Sequence, residues 1–257
     1  MKKYLRIWLN ASTLSAQSNL DQRFGALMFI VGKFIRFGFF LILILLIGEK
    51  VQQVSGYSTK ELITFFLFFN FFDITGQLLF RGIYGFRNQI VSGEFDFSLA
   101  KPISPLFQAL TRETDILDLP LLIVVVVALF KQSSAMSFSQ LYVFLILAIC
   151  GLVIITGIHI IVAALGIITT EVDHTIMIYR DLSAMARFPT DIYTPSIRTL
   201  ITFIIPIGIA FTVPAKAFLG ILNPIFFIYS FIVAIVFFYF SLQFWKYALT
   251  KYSSASS

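Results

Sequence analysis

LYVFLILAICGLVIITGIHIIVAALGII, residues 141–168, runs for 28 positions without a single Asp, Glu, Lys or Arg. A helix needs roughly 20 apolar residues to cross the hydrocarbon core of a bilayer. This run is long enough to tilt or protrude. On either side of it, the runs 26–47, 62–80, 116–130, 199–219 and 225–245 are also mostly apolar, with at most two charged residues each. Composition agrees: 58% of the chain is hydrophobic, 12% is charged and the mean hydropathy is +0.91, whereas a soluble domain carries roughly 25% charged residues. The expected fold is an all-α integral membrane protein with six transmembrane helices, forming a single domain over residues 1–257.

Two of the runs are irregular. The run at 116–130 is short, and Asp118 and Pro120 interrupt its start; a longer helix borrowing residues 106–110 is expected. The run at 199–219 contains Pro206, Gly208 and Pro214. Proline removes a backbone donor and crowds the preceding turn, so kinks are expected at Pro206 and Pro214. Orientation follows from Lys and Arg. The N-terminus, the loops after spans two and four, and the C-terminus hold thirteen, and the opposite segments hold four. Both termini are therefore expected in the cytoplasm. Leu5, Trp8 and Leu9 beside Lys2, Lys3 and Arg6 suit an interfacial helix within 1–25, the alternative being a frayed tail. Residues 171–186, from Glu171 onward, suit a second surface helix, and 246–257 a cytoplasmic tail.

Several functions are disfavoured. The net charge of +6 is scattered over short loops, which serves topology rather than nucleic acid. A lone Cys150 and two histidines fifteen residues apart, His159 and His174, offer neither a disulfide framework nor a metal cluster. There is no G-x-x-x-x-G-K-[ST] phosphate loop, no G-x-S-x-G and no H-E-x-x-H. No catalytic residues and no metal ligands are therefore assigned. No cleavable leader is expected, because the first long apolar run is followed by Glu49 and Lys50. No internal repeat is visible.

The polar exceptions carry the functional reading. GEFDFSLAKPISPLF, residues 93–107, lies within the longest cytoplasmic loop, 81–115. It mixes both signs of charge with aromatic residues, and Pro102 and Pro105 stiffen it. It suits either a surface held by a partner or an ordinary interfacial loop. In span two, Asn70, Asp73, Gln77 and Arg81 share one helix face. Asp73 lies ~12 Å in from Arg81, and Lys33 and Arg36 lie ~8 and ~12 Å in from Met28. A pair between Asp73 and Lys33 or Arg36 is therefore geometrically open, either as a substrate or gating contact or as a structural ion pair. His159, mid-span, fits a hydrogen-bonded interior residue better than a ligand.

These segments resemble the type-2, exporter-class ABC transporter permeases, in particular a six-span subfamily. The resemblance rests on GEFDFSLAKPISPLF at 93–107, RFPTDIY at 187–193, LITFIIPIGIAFTVPAKAFLG at 200–220 and FWKYALTKYSSA at 244–255, in that order along nearly the whole chain. Ala248 stands where relatives often carry Gly, and Phe188 where many have Tyr. The resemblance implies a coupling helix between spans two and three, within 87–107, seated on a cytoplasmic ATPase subunit. Arg87, Gly93, Pro102 and Pro105 would frame it, Glu94, Asp96 and Lys101 would be its polar partners, and Phe95 and Phe97 its packing residues. It further implies two ATPase subunits that carry ATP and Mg, a second permease copy or paralogue, and the cytoplasmic membrane of a prokaryote. A stand-alone ion-coupled carrier using Asp73, and a non-transporting scaffold, are the alternatives. A path rich in Phe, Ile and Leu suggests a lipophilic or amphiphilic cargo.

Overall fold

The structure, a computed structural model, describes residues 2–51, 53–133, 136–170 and 172–253. It is helical throughout; among the described residues the only pairing of the β type is an isolated bridge between Val54 and Tyr57. The helices are α1 (Lys2–Asp21), α2 (Arg23–Lys50), α3 (Thr59–Phe80), α4 (Phe86–Val91), α5 (Glu94–Ala100), α6 (Pro105–Thr111), α7 (Leu119–Ser133), α8 (Phe138–Thr169), α9 (Val172–Ala184), α10 (Pro195–Thr199), α11 (Val213–Leu219) and α12 (Ile225–Lys251). Among the described residues, five stretches are long and apolar enough to cross a membrane, α2, α3 with its continuation to Val91, 116–133, α8 and α12, and a bent pair, 195–204 with 208–219, would be a sixth if it were one span. Ser58 opens α3 with a capping box, donating its backbone N–H to Glu61 at 2.7 Å while its hydroxyl accepts from the Glu61 N–H. Ser137 caps α8.

The core lies between α3, α8 and the segment 208–219. Phe68 meets Phe144 and Phe218 at ring distances of 5.4 and 5.0 Å, and Phe72 meets Phe211 at 5.8 Å. In lipid, burying such rings gains little from the hydrophobic effect, so close packing and small residues bring helices together. Gly151 on α8 shows why. A Cβ there would stand 2.4 Å from the Ala210 carbonyl oxygen. Ala210 precedes Pro214 by four residues, and proline has no N–H to return to it. The backbone widens there into a π-helical turn at Gly208–Thr212, and the freed carbonyl abuts the glycine. Pro214 itself sits in the first turn of α11 without breaking it, because the widened turn absorbs its missing donor. The expected kink at Pro214 is thus replaced by this turn, and the sharp bend falls at 205–207, around Pro206.

That bend is 83° between 195–204 and 208–219, and its two arms do not make a straight span. Tyr57, just after α2, marks the end of the bundle away from the termini. Its hydroxyl donates to Asp191 at 2.6 Å, and Asp191 also pairs with Arg198 at 2.6 Å and with Lys216. Gln140, at the start of α8, donates to the Phe218 carbonyl at 2.7 Å. Both arms are tied to that same far end, so 195–219 enters and leaves from one side. Residues 172–191 run from the termini end to the far end along α8. Asp173 faces Arg87 at the termini end, 4.0 Å away, and Tyr179 packs on His159 at 4.9 Å. His159 is ~15 Å inside the end of α8. The helix expected at the surface over 171–186 therefore folds back along α8; Glu171 lies outside the described residues. Arg198 joins the far end with Lys216, and Arg187 lies within the bundle, yet the arginine and lysine excess at the termini end survives both moves.

Three smaller expectations also change. The loop 81–115 is mostly helical. The 116–133 stretch does not borrow 106–110, since α6 ends at Thr111 and a short 3-10 turn, Ile116–Asp118, leads into α7. The tail is shorter than 246–257, because α12 continues to Lys251 and 254–257 lie outside the described residues.

Candidate functional site

The segment 81–111 is built around α5. Gly93 precedes it with φ +75°, a left-handed conformation that favours glycine, and this turn reverses the chain between α4 and α5. Phe95 is fully buried, its ring 5.1 Å from both Phe86 and Tyr252 and 6.4 Å from Trp245. Tyr252 donates its hydroxyl to Asp96 at 2.9 Å. Burial, and then the Asp96 carboxylate, push this phenol up to about 12. Arg112 pairs with Glu94 at 2.9 Å. Gln108 on α6 donates to the Ser98 and Ile103 carbonyls at 3.2 and 3.3 Å, which closes the turn carrying Lys101 and Pro102. Pro105 starts α6 behind the Ser104 cap, a position where its missing N–H costs nothing.

The N-terminal helix completes the brace. Lys3 donates to the Pro102 carbonyl at 3.1 Å, Tyr4 stacks edge-on against Phe107 at 4.9 Å, and Ser12 shares a 2.8 Å hydrogen bond with Thr114. The result is a short helix held from three sides, by α12, α6 and α1. What it presents outward is Phe97, 70% exposed, with Leu99 and Lys101 beside it. A groove of about 660 Å³ runs between α1 and this segment, with Ile7, Phe97, Lys101 and Phe107 on its walls. Of the residues that the sequence groups here, Phe95 and Asp96 thus serve the chain's own packing. Arg87 faces the exposed Asp173 at 4.0 Å.

The intramembrane charges are arranged differently from the expectation. Lys33 pairs with Asp118 and lies 3.8 Å from Asp115, which is also 3.7 Å from Arg81. Asp118 is fully buried, and a buried carboxylate needs a cation close by. Asp73 instead accepts from Gln77 at 2.9 Å, and Asn70 donates to the Phe66 carbonyl at 2.7 Å. The pairing of Asp73 with Lys33 or Arg36 is therefore not formed. His159 is buried, with Nδ1 2.8 Å from the Ile155 carbonyl and its ring against Phe80 and Tyr179. Among the described residues no group of three or more His, Cys, Asp or Glu is placed to hold a metal.

Sequence reasoning missed the Asp191 cluster at the far end. Burial, and then the hydrogen bond to Asp191, raise the Tyr57 phenol above its ordinary range. Beside the cluster is a cavity of about 410 Å³ lined in part by Thr202 and Thr212, whose hydroxyls lack a hydrogen-bond partner. The one signal for the cluster in the sequence is an acidic residue close to the two prolines Pro189 and Pro195.

A family model described as "ABC-2 family transporter protein" matches residues 34–256. No curated protein and no solved structure matches the chain.

Proposed function

The chain belongs to the ABC-2 transporter family, and on that premise we propose that it is the membrane-spanning permease subunit of an ATP-driven exporter. Membership makes it a membrane permease of an ABC transporter, a class that works with ABC ATPase subunits. The finer reading is that two such ATPases, carrying ATP and Mg, dock on the cytoplasmic end of two permease chains in a prokaryotic plasma membrane. That end is the one bearing both termini and most of the Lys and Arg residues.

The observation that carries this reading is the bracing of α5. A lever transmits force only if it is stiff and fixed to what it moves. Phe95 and Asp96 fix α5 to the end of α12, while Gln108 and Lys3 fix the following turn to α6 and α1. Phe97 and Lys101 are left free to meet a partner. A pull on α5 therefore reaches α12 directly, and through α4 and the turn at 81–85 it reaches α3. The test is co-purification of this chain with ABC ATPase subunits from its natural source, followed by ATP hydrolysis by the complex. Phe97→Ala with Lys101→Ala is expected to release the ATPase or remove its response to the permease. Unchanged co-purification and hydrolysis would refute the coupling role.

A further inference from the structure

The cavity of about 410 Å³ at the far end takes no part in the coupling segment. It lies between the two arms of 195–219. Arg198 and Phe203 line it from the first arm, Val213 and Lys216 from the second, and Asp191 from the turn before them. Small-molecule sites usually occupy about 300–1,000 Å³, so this one has room for a ligand. Two cations face one carboxylate there. Asp191 meets Arg198 through Oδ1 at 2.6 Å, and Lys216 and the Tyr57 hydroxyl through Oδ2. Among the described residues, neither cation has a second carboxylate within ion-pair distance. Glu61, at the same end, is held by Ser58. Arg198 and Lys216 against Asp191 therefore leave one positive charge on the cavity wall. The Lys216 side chain is only 18% exposed, and a cation so far from water favours a full counter-charge.

Two hydroxyls point the same way. Thr199 donates to the Pro195 carbonyl at 2.8 Å, the usual bond of a threonine inside a helix. Thr202 and Thr212 stand instead in the widened turns Leu200–Ile204 and Gly208–Thr212. Both line the cavity, and their buried hydroxyls have no partner. A buried donor left unpaired is costly, and an acceptor entering between the arms would relieve it. We propose that this cavity binds an oxyanion (phosphate, sulfate or carboxylate) carried on a short apolar group and held between Arg198 and Lys216. Guanidinium suits such a group because its donors match two oxygens at once. The oxyanion has lone pairs for the threonine hydroxyls as well, which an ammonium ligand lacks. Pro195, Phe203 and Phe226 give the attached group an apolar wall. A ligand so placed ties one arm to the other, in addition to the tie made by Asp191. The proposal goes beyond the permease reading and does not depend on coupling.

The test uses the full chain in nanodiscs of zwitterionic lipid, without ATPase or ATP, so its failure is separable from failure of coupling. Radiolabelled hexyl phosphate, hexyl glucoside and hexyltrimethylammonium are compared, with protein-free discs subtracted. The phosphate is expected to bind ~10-fold tighter than the other two, the scale of a desolvated charge pair. Arg198→Gln and Lys216→Gln are each expected to abolish that preference, because each leaves Asp191 balanced by a single cation. Arg198→Lys and Lys216→Arg are expected to keep most of it. Equal binding of the three probes by the natural chain, which needs no variant to fold, would overturn the assignment; so would a preference untouched in both glutamine variants. Displacement by inorganic phosphate at comparable concentration would overturn the role of the apolar wall. Competition by phosphatidylglycerol in the discs would support the site with a bilayer lipid as its source. Binding indifferent to phosphatidylglycerol would support it with a soluble organic anion as its source.

Discussion

Phe95 is fully buried against Phe86, Trp245 and Tyr252, while Phe97, two residues further on, is 70% exposed. The two rings therefore respond differently to truncation. Phe95→Ala opens a cavity where α5 meets α12 and is expected to cost about 3 kcal/mol, read as a lower melting temperature of the purified chain. Phe97→Ala is expected to leave that temperature unchanged and to weaken the ATPase contact. Tyr252 adds a test by pH. Its phenol is pushed up to about 12, above the ordinary value of about 10, so the neutral form is favoured in the folded chain. The bond to Asp96 is then intact below pH 10 and lost as pH rises through about 12. Subtracting the phenolate absorbance titration of Tyr252→Phe from that of the natural chain should leave one tyrosine that ionises late. A difference titrating near 10 would contradict the contact.

At the scale of elements, the segment 195–219 is buried in the core along 208–219 and its two arms are joined at the far end by one carboxylate. Asp191 joins Tyr57, Arg198 and Lys216, and Asp191→Ala would leave two cations without their carboxylate. The arms are expected to separate, measured as faster maleimide labelling of Thr202→Cys in the Asp191→Ala background. Gly151→Ala would drive a methyl group into the Ala210 carbonyl, 2.4 Å away. Neither backbone can yield easily, and overpacking of this kind costs typically 1–3 kcal/mol, again visible in the melting temperature. These elements also mark where the sequence was legible. Long uncharged runs such as 141–168 announce α8 because hydropathy is a local property. Pro206 announces the break for the same reason. The run of 172–191 along the bundle was hidden because α9 carries Asp173, Arg180 and Asp181, which read as a surface helix. Its place is decided by packing on α8, a relation between residues far apart in the chain. Helix depth leaves a pair of Asp73 with Lys33 or Arg36 open, whereas the carboxylates that Lys33 meets, Asp115 and Asp118, enter from the turn before α7.

Across the whole molecule, charge and stiffness are segregated. The termini end gathers α1, α4, α5, α6 and the end of α12 into one braced platform. The midplane carries Arg36, Arg187 and Asp73 on one face, and the far end is closed by the Asp191 cluster. The segment 93–107 stands out in the sequence because its glycine, acidic and proline residues lie close together, and the family resemblance is what suggests coupling there; its brace does not stand out, because Tyr4, Trp245 and Tyr252 come from the two ends of the chain. The central claim is that α5 is the contact through which an ATPase drives the permease. It is tested most directly by placing a photo-cross-linking residue at position 97, or at the exposed Tyr142 at the far end, in cells that also carry a candidate partner ABC ATPase. Cross-linking to that ATPase from position 97 and none from position 142 is the predicted result. No adduct from 97, or equal adducts from both positions, would contradict the account.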